Sequence, residues 1–182
     1  MVLLLLADGF EEIEAIGTVD ILRRAGIKTV IAAVGTNQVV TSARNVKITA
    51  DVQLQNLEAS ALQQYETLVL PGGGLGVENL SKSETVKALI NEFASENKRI
   101  AAICAAPTLL GKMGLLKERK ATCYPDMKDE LFSQVYSEEP VVVDGNFITS
   151  RGAGTTHIFA AKIVEILIGK AKADAILEKM IF

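Results

Sequence analysis

Short apolar runs alternate with helical patterns along this chain, and that alternation restricts the fold more than any other feature of the sequence. Val2–Ala7, Thr29–Val34, Thr67–Leu70 and Arg99–Ile103 have strand length and lack a polar alternate. Such runs are expected of strands covered on both faces. Between the first two lies Glu11–Ala25, with Ile13, Ile16, Val19, Ile21, Leu22 and Ala25 at helical spacing and Gly26 where a helix-terminating glycine belongs. Strand, helix and strand in so short a span form a right-handed crossover between parallel strands. Ser83–Asn97 predicts a second helix, capped by Ser83, with Val86, Leu89, Ile90 and Phe93 on one face. Further helices are expected over Ala105–Met113, Thr155–Ile168 and roughly Lys172–Met180. Val141–Val143 and Phe147–Thr149 flank Asp144-Gly145-Asn146 and predict a hairpin. Val39–Thr49 reads as a short hairpin or an extended excursion. No repeat or linker interrupts the pattern. The expectation is one doubly wound α/β domain over residues 1–182, with a mostly parallel central sheet, helices on both faces and a small hairpin.

Charge and cysteine usage narrow the function. A net charge of -3, 5% aromatic residues and no Trp leave neither a basic surface for phosphates nor stacking platforms, so no nucleic-acid partner is expected. No stretch approaches the roughly 20 apolar residues that span a bilayer, and Val2–Leu6 is too short for a signal-peptide core. The expected location is the cytoplasm, with no membrane partner. There Cys104 and Cys123 are expected as free thiols. His157 is the one histidine, on the closing helix, and reads as structural. One histidine with two unclustered cysteines makes no zinc site, so neither metal nor cofactor is expected.

Three segments could carry chemistry. In Ile100-Ala101-Ala102-Ile103-Cys104-Ala105-Ala106-Pro107-Thr108, a buried strand ends in cysteine, small residues follow and a helix starts. That is the pattern of a nucleophile elbow, with helix N–H groups and dipole favouring thiolate and the Ala105 N–H aimed at an oxyanion. A small core cysteine at a strand end is the other reading. Leu70-Pro71-Gly72-Gly73-Gly74-Leu75-Gly76 leaves backbone N–H groups free for an anion, yet matches neither the phosphate-loop nor the dinucleotide pattern. A flexible turn is its plain alternative. In Asp8-Gly9-Phe10-Glu11-Glu12-Ile13-Glu14, Glu11 and Glu12 suit a first helical turn, whereas Glu14, flanked by Ile13 and Ile16, is placed for desolvation. Desolvation holds a proton on a carboxyl and fits it for acid/base work. All three segments follow core strands, where open α/β sheets place their sites.

These segments also carry a resemblance. Gly9-Phe10-Glu11-Glu12-Ile13-Glu14-Ala15, Arg23-Arg24-Ala25-Gly26-Ile27-Lys28, Leu68-Val69-Leu70-Pro71-Gly72-Gly73, the segment around Cys104 and Thr149-Ser150-Arg151-Gly152-Ala153-Gly154-Thr155 agree in order and spacing with the DJ-one/ThiJ/PfpI superfamily. Within it, the chain resembles the branch of the human parkinsonism-linked protein and bacterial YajL. The resemblance implies a flavodoxin-like fold, Cys104 as elbow cysteine and Glu14 as a protonated acid bonded to its sulfur. It implies Gly73 and Ala105 as oxyanion-hole donors, Arg44 and Gly72 as substrate- or anion-binding residues, and a homodimer joined through the first helix. Relatives often carry a histidine in a Thr-His-Pro context; here Tyr124 stands there, in Thr122-Cys123-Tyr124-Pro125, which weakens a protease or Cys–His hydrolase reading. The function implied is a cofactor-free glyoxalase or deglycase that converts small dicarbonyls such as methylglyoxal to hydroxy acids, or repairs glycated molecules. The alternative is an oxidative-stress sensor in which Cys104 becomes sulfenate and then sulfinate. A chaperone role has no sequence feature in its favour.

Overall fold

The computed structural model describes all 182 residues. Its strands are β1 (Val2–Leu6), β2 (Thr29–Ala33), β3 (Val39–Thr41), β4 (Lys47–Thr49), β5 (Val52–Gln53), β6 (Thr67–Leu70), β7 (Arg99–Ile103), β8 (Lys120–Ala121), β9 (Val135–Tyr136), β10 (Val141–Asp144) and β11 (Phe147–Ser150). Its helices are α1 (Glu12–Arg24), α2 (Ala59–Leu62), α3 (Gly74–Lys82), α4 (Glu84–Ser95), α5 (Ala106–Lys112), α6 (Thr156–Ile168) and α7 (Lys170–Lys179). Seven strands form one sheet in the order β10-β11-β7-β6-β1-β2-β5. Every neighbouring pair is parallel except β10 with β11.

β1 shows why an unbroken apolar run is needed. All five of its residues are buried. Leu3 and Leu5 join one core, whereas Val2, Leu4 and Leu6 join the other, because side chains alternate across a strand. α3, α4 and α5 supply the first core, and α1, α6 and α7 the second. Helix α4 behaves as its pattern predicts: Val86, Leu89, Ile90 and Phe93 are buried, each contributing roughly 1.5–3 kcal/mol. The Ser83 hydroxyl caps it by accepting from the Val86 N–H at 3.3 Å. Helix α1 begins where the Glu11 carboxylate accepts from the Glu14 N–H at 2.8 Å, and ends before Gly26 at φ +78°.

The structure departs from the sequence reading in several places. Residues 39–49 form the hairpin option, as a separate β3–β4 pair. The β10–β11 hairpin is no appendage, since β11 lies beside β7 and extends the main sheet. Ile13 does not face the core: it is 58% exposed, and the buried stripe of α1 runs through Glu14, Thr18, Ile21 and Leu22 instead. The glycine-rich segment after β6 opens helix α3 and is not merely a turn. No helix is long and apolar enough to cross a membrane.

Candidate active site

β11, β7, β6 and β1 are adjacent and parallel, so the segments leaving their C-terminal ends meet along one edge. Cys104 leaves β7 at φ +65°, a left-handed conformation that a non-glycine residue holds only at about 1–3 kcal/mol. Two remote strands of chain hold it there. Its N–H donates to the Ser150 carbonyl at 2.9 Å, and its carbonyl accepts from the Tyr124 N–H at 2.8 Å. The elbow lifts the thiol off the sheet, and the residue is partly exposed.

Glu14 comes to the thiol from α1. Its carboxyl is 1% exposed, and Oε2 accepts from the Gly72 N–H at 2.7 Å. Gly72 is thus committed to holding Glu14, and its N–H is not open to a substrate. A β-carbon at Gly72 would lie 2.6 Å from both Cys104 Cβ and Glu14 Oε2, so only glycine lets these two groups approach. Gly73 sits at φ +92°, where a β-carbon would meet the Gly9 carbonyl oxygen at 2.3 Å. The segments after β1 and β6 are laced at this point, with the Glu11 N–H donating to the Gly72 carbonyl at 3.0 Å and the Gly76 N–H to the Gly9 carbonyl at 3.1 Å.

The backbone N–H groups of Gly73 and Ala105 lie by the sulfur and favour its charged form, and its acidic neighbour is Glu14. Burial pushes the Cys104 thiol up to about 12, with the charge of Glu14 second; the two N–H groups oppose this and lose. The N–H groups at the helix start favour thiolate, as expected, but α5 is short and desolvation outweighs them. Burial likewise raises Glu14 to about 7, against the opposing pull of the Gly72 N–H. Glu14 Oε1 is buried without a well-formed hydrogen bond. With Oε2 fixed as the acceptor for Gly72, Oε1 is the carboxyl oxygen left free for a proton, and Cys104 is the titratable side chain beside this carboxyl. Such contacts commonly tighten only when substrate binds. The pair loses its first proton near pH 7 and shares the remaining one.

Cys104, Glu14, Gly72, Gly73 and Ala105 are thus brought together. Arg44 is not among them: it lies on the exposed β3–β4 turn, and its guanidinium donates to the Ala43 carbonyl at 3.4 Å. The turn itself is tied toward the site by the Ala43 N–H, which donates to the Phe10 carbonyl at 2.8 Å. Cys123 is free, fully buried and pushed up to about 11 by that burial. His157 stacks on Phe182 with ring centroids 4.2 Å apart. Sequence reasoning did not single out Ser150 as the residue that holds the elbow, nor Gly152 beside the sulfur. Their only signal was position, at and just past the end of a strand parallel to the one that carries the cysteine.

Known proteins are similar to this chain over nearly its whole length. Protein DJ-1 homolog B of Arabidopsis thaliana is 44% identical over 94% of the chain, which spans 39% of that longer relative. The glutathione-independent glyoxalase DJ-1 of Schizosaccharomyces pombe is 33% identical, over 98% of this chain and 97% of its own. The solved structure of oxidized Toxoplasma gondii DJ-1 superposes with a TM-score of 0.93 at 33% identity, covering 100% of this chain and 97% of that one. A model of the DJ-1/PfpI family matches residues 1–166, and on this evidence the protein belongs to the DJ-1/PfpI family.

Proposed function

We propose that this protein is a glutathione-independent glyoxalase that converts methylglyoxal to lactate and glyoxal to glycolate. One observation carries the reading: a buried carboxyl, raised to about 7, stands against a cysteine whose sulfur already has two backbone N–H groups beside it. A relative of matching length bears the name of this activity. Glu14 takes the thiol proton as the sulfur attacks the aldehyde carbon. A C–S bond forms, the carbonyl π bond breaks, and the proton passes to the oxygen to give a hemithioacetal. The N–H groups of Gly73 and Ala105 stabilise the charge on that oxygen during attack. Glu14 then removes the hydrogen from the carbon bonded to sulfur and returns it to the neighbouring carbon through an enediol, leaving a thioester. Water hydrolyses the thioester to the hydroxy acid and restores the thiol. Overall one water is added and no redox partner is required. A carboxyl that titrates near neutrality suits both directions of transfer.

Lactate formed from methylglyoxal without glutathione tests this, with the wild type beside Cys104→Ser and Glu14→Gln. Both variants are expected to lose turnover by about a hundredfold or more. Wild-type turnover in Cys104→Ser refutes the covalent route. A second reading, a peroxide sensor, is favoured by the partial exposure of Cys104 against complete burial of Cys123. In it, peroxide transfers one oxygen to the sulfur and leaves as water.

A further inference from the structure

Three sides of the Cys104 sulfur have named neighbours. Glu14 occupies one, and the N–H groups of Gly73 and Ala105 another. The third is bounded by Gly152 and the ring of Tyr124. A β-carbon built on Gly152 would lie 3.9 Å from Cys104 Sγ and 3.6 Å from Tyr124 Cδ2. These are ordinary contacts, so the protein itself tolerates a methyl group there. Gly152 is at φ 163°, extended backbone that alanine also adopts. Neither sterics nor conformation therefore requires glycine at this position for folding. What the missing methyl leaves is room beside the nucleophile, with Tyr124 Cδ2 and Cys104 Sγ as its only neighbours within 4 Å.

We propose that Gly152, backed by Tyr124, sets the size of the group that can bond to Cys104, so that the acceptors taken are carbonyl compounds with small substituents at and next to the reacting carbon. This rests on the glyoxalase reading for its natural substrate, but the space itself is a property of the thiol pocket. A carbon bonded to the sulfur lies well inside the 3.9 Å that separates Sγ from the built methyl position, and its substituents project into that volume. The loop that presents Gly152 is held from below. Thr155 Oγ1 donates to the Gly152 carbonyl at 2.8 Å and accepts from the Gly152 N–H at 3.2 Å, so the wall keeps its place as the pocket fills.

The test compares Gly152→Ala with wild type using two alkylating agents of identical chemistry, iodoacetamide and its α-methyl analogue. Modification of Cys104 is followed by peptide mass. Taking the ratio of the two rates cancels any change in thiol ionisation, which a purely electrostatic effect of the substitution would produce. The α-methyl reagent is expected to be disfavoured about tenfold more in Gly152→Ala than in wild type, the usual effect of one misplaced methyl group. The ratio of kcat/KM for phenylglyoxal over glyoxal is expected to fall in parallel. Tyr124→Ala, which removes the ring that bounds the same space, is expected to move the alkylation ratio the other way. It serves equally if Gly152→Ala fails to fold. An alkylation ratio unchanged in either folded variant overturns the proposal. A shifted ratio in a protein without dicarbonyl turnover sustains the size limit and sinks the glyoxalase reading alone.

Discussion

Replacing Glu14 by Gln isolates the energetic effect of holding an acid inside this protein. Folding raises the Glu14 carboxyl from 4.5 to about 7, chiefly by burial. Below pH 4.5 the group is protonated in both folded and unfolded chains and imposes no penalty. Between 4.5 and about 7 the unfolded chain gives up the proton and the folded one keeps it, so stability falls as pH rises. Above about 7 the loss is complete, at about 3 kcal/mol given roughly 1.4 kcal/mol per pH unit. Glutamine has the same shape, accepts from the Gly72 N–H through its oxygen and does not titrate. Its packing effect is constant with pH, so the difference between variant and wild type should change by about 3 kcal/mol between about pH 4.5 and about pH 8, in favour of the variant at the higher pH. Glu78, Glu139 and Asp144 are shifted the other way, and their contributions vanish only on acidification below this window. Urea denaturation at matched protein concentration, followed by circular dichroism because the chain has no Trp, measures it. If the stabilities of variant and wild type run parallel across the window, Glu14 is not a buried titrating acid, and the proton-shuttle role falls with it.

Further expectations follow from particular residues. Gly73→Ala puts a β-carbon 2.3 Å from the Gly9 carbonyl oxygen at φ +92°, so a loss of at least about 2 kcal/mol is expected; an unchanged denaturation midpoint contradicts the packing described for this loop. Mild peroxide should oxidise Cys104 ahead of fully buried Cys123, as read by peptide mass, and the reverse order would exclude Cys104 as the sensing thiol. Ser83→Ala should lower stability by about 1 kcal/mol without touching turnover, since it removes only the cap of α4.

The core of the fold was legible because burial on both faces leaves a blunt signature. β1 is apolar end to end, β2, β6 and β7 are apolar after their first residue, and each was found within a residue or so. Helix α3 was missed because it opens on glycines, and the face that packs is only Gly76, Val77 and Leu80. β5, α2 and the segment from β8 to β9 are short and only partly buried, too weakly patterned to read. At the site, Cys104 and the Ala105 N–H beside it could be read from the end of β7, whereas Gly73, beyond the end of β6, owes its donor role to the resemblance. Glu14 could be suspected of burial but not of contact, because its partner Gly72 is 58 positions away. Arg44 is a position carried over by resemblance; its side chain lies on an exposed turn that is tied to the site through Ala43 and Phe10. The wall at Gly152 has no local signature at all, since a glycine that leaves space looks in sequence like a glycine that makes a turn.

The clamp on the elbow also bears on when the cysteine backbone is fixed during synthesis. Glu14, Gly72 and Cys104 emerge in that order, but the carbonyl that fixes the cysteine backbone belongs to Ser150. A chain growing from its N-terminus holds the acid, the glycine loop and the cysteine long before it holds the residue that locks them. Until β11 is laid beside β7, the positive-φ conformation of Cys104 has only the Tyr124 N–H to hold it and lacks its second clamp. The clamped geometry of the elbow is therefore a property of the nearly finished molecule, and a ribosome-bound chain truncated before Ser150 would not yet carry it.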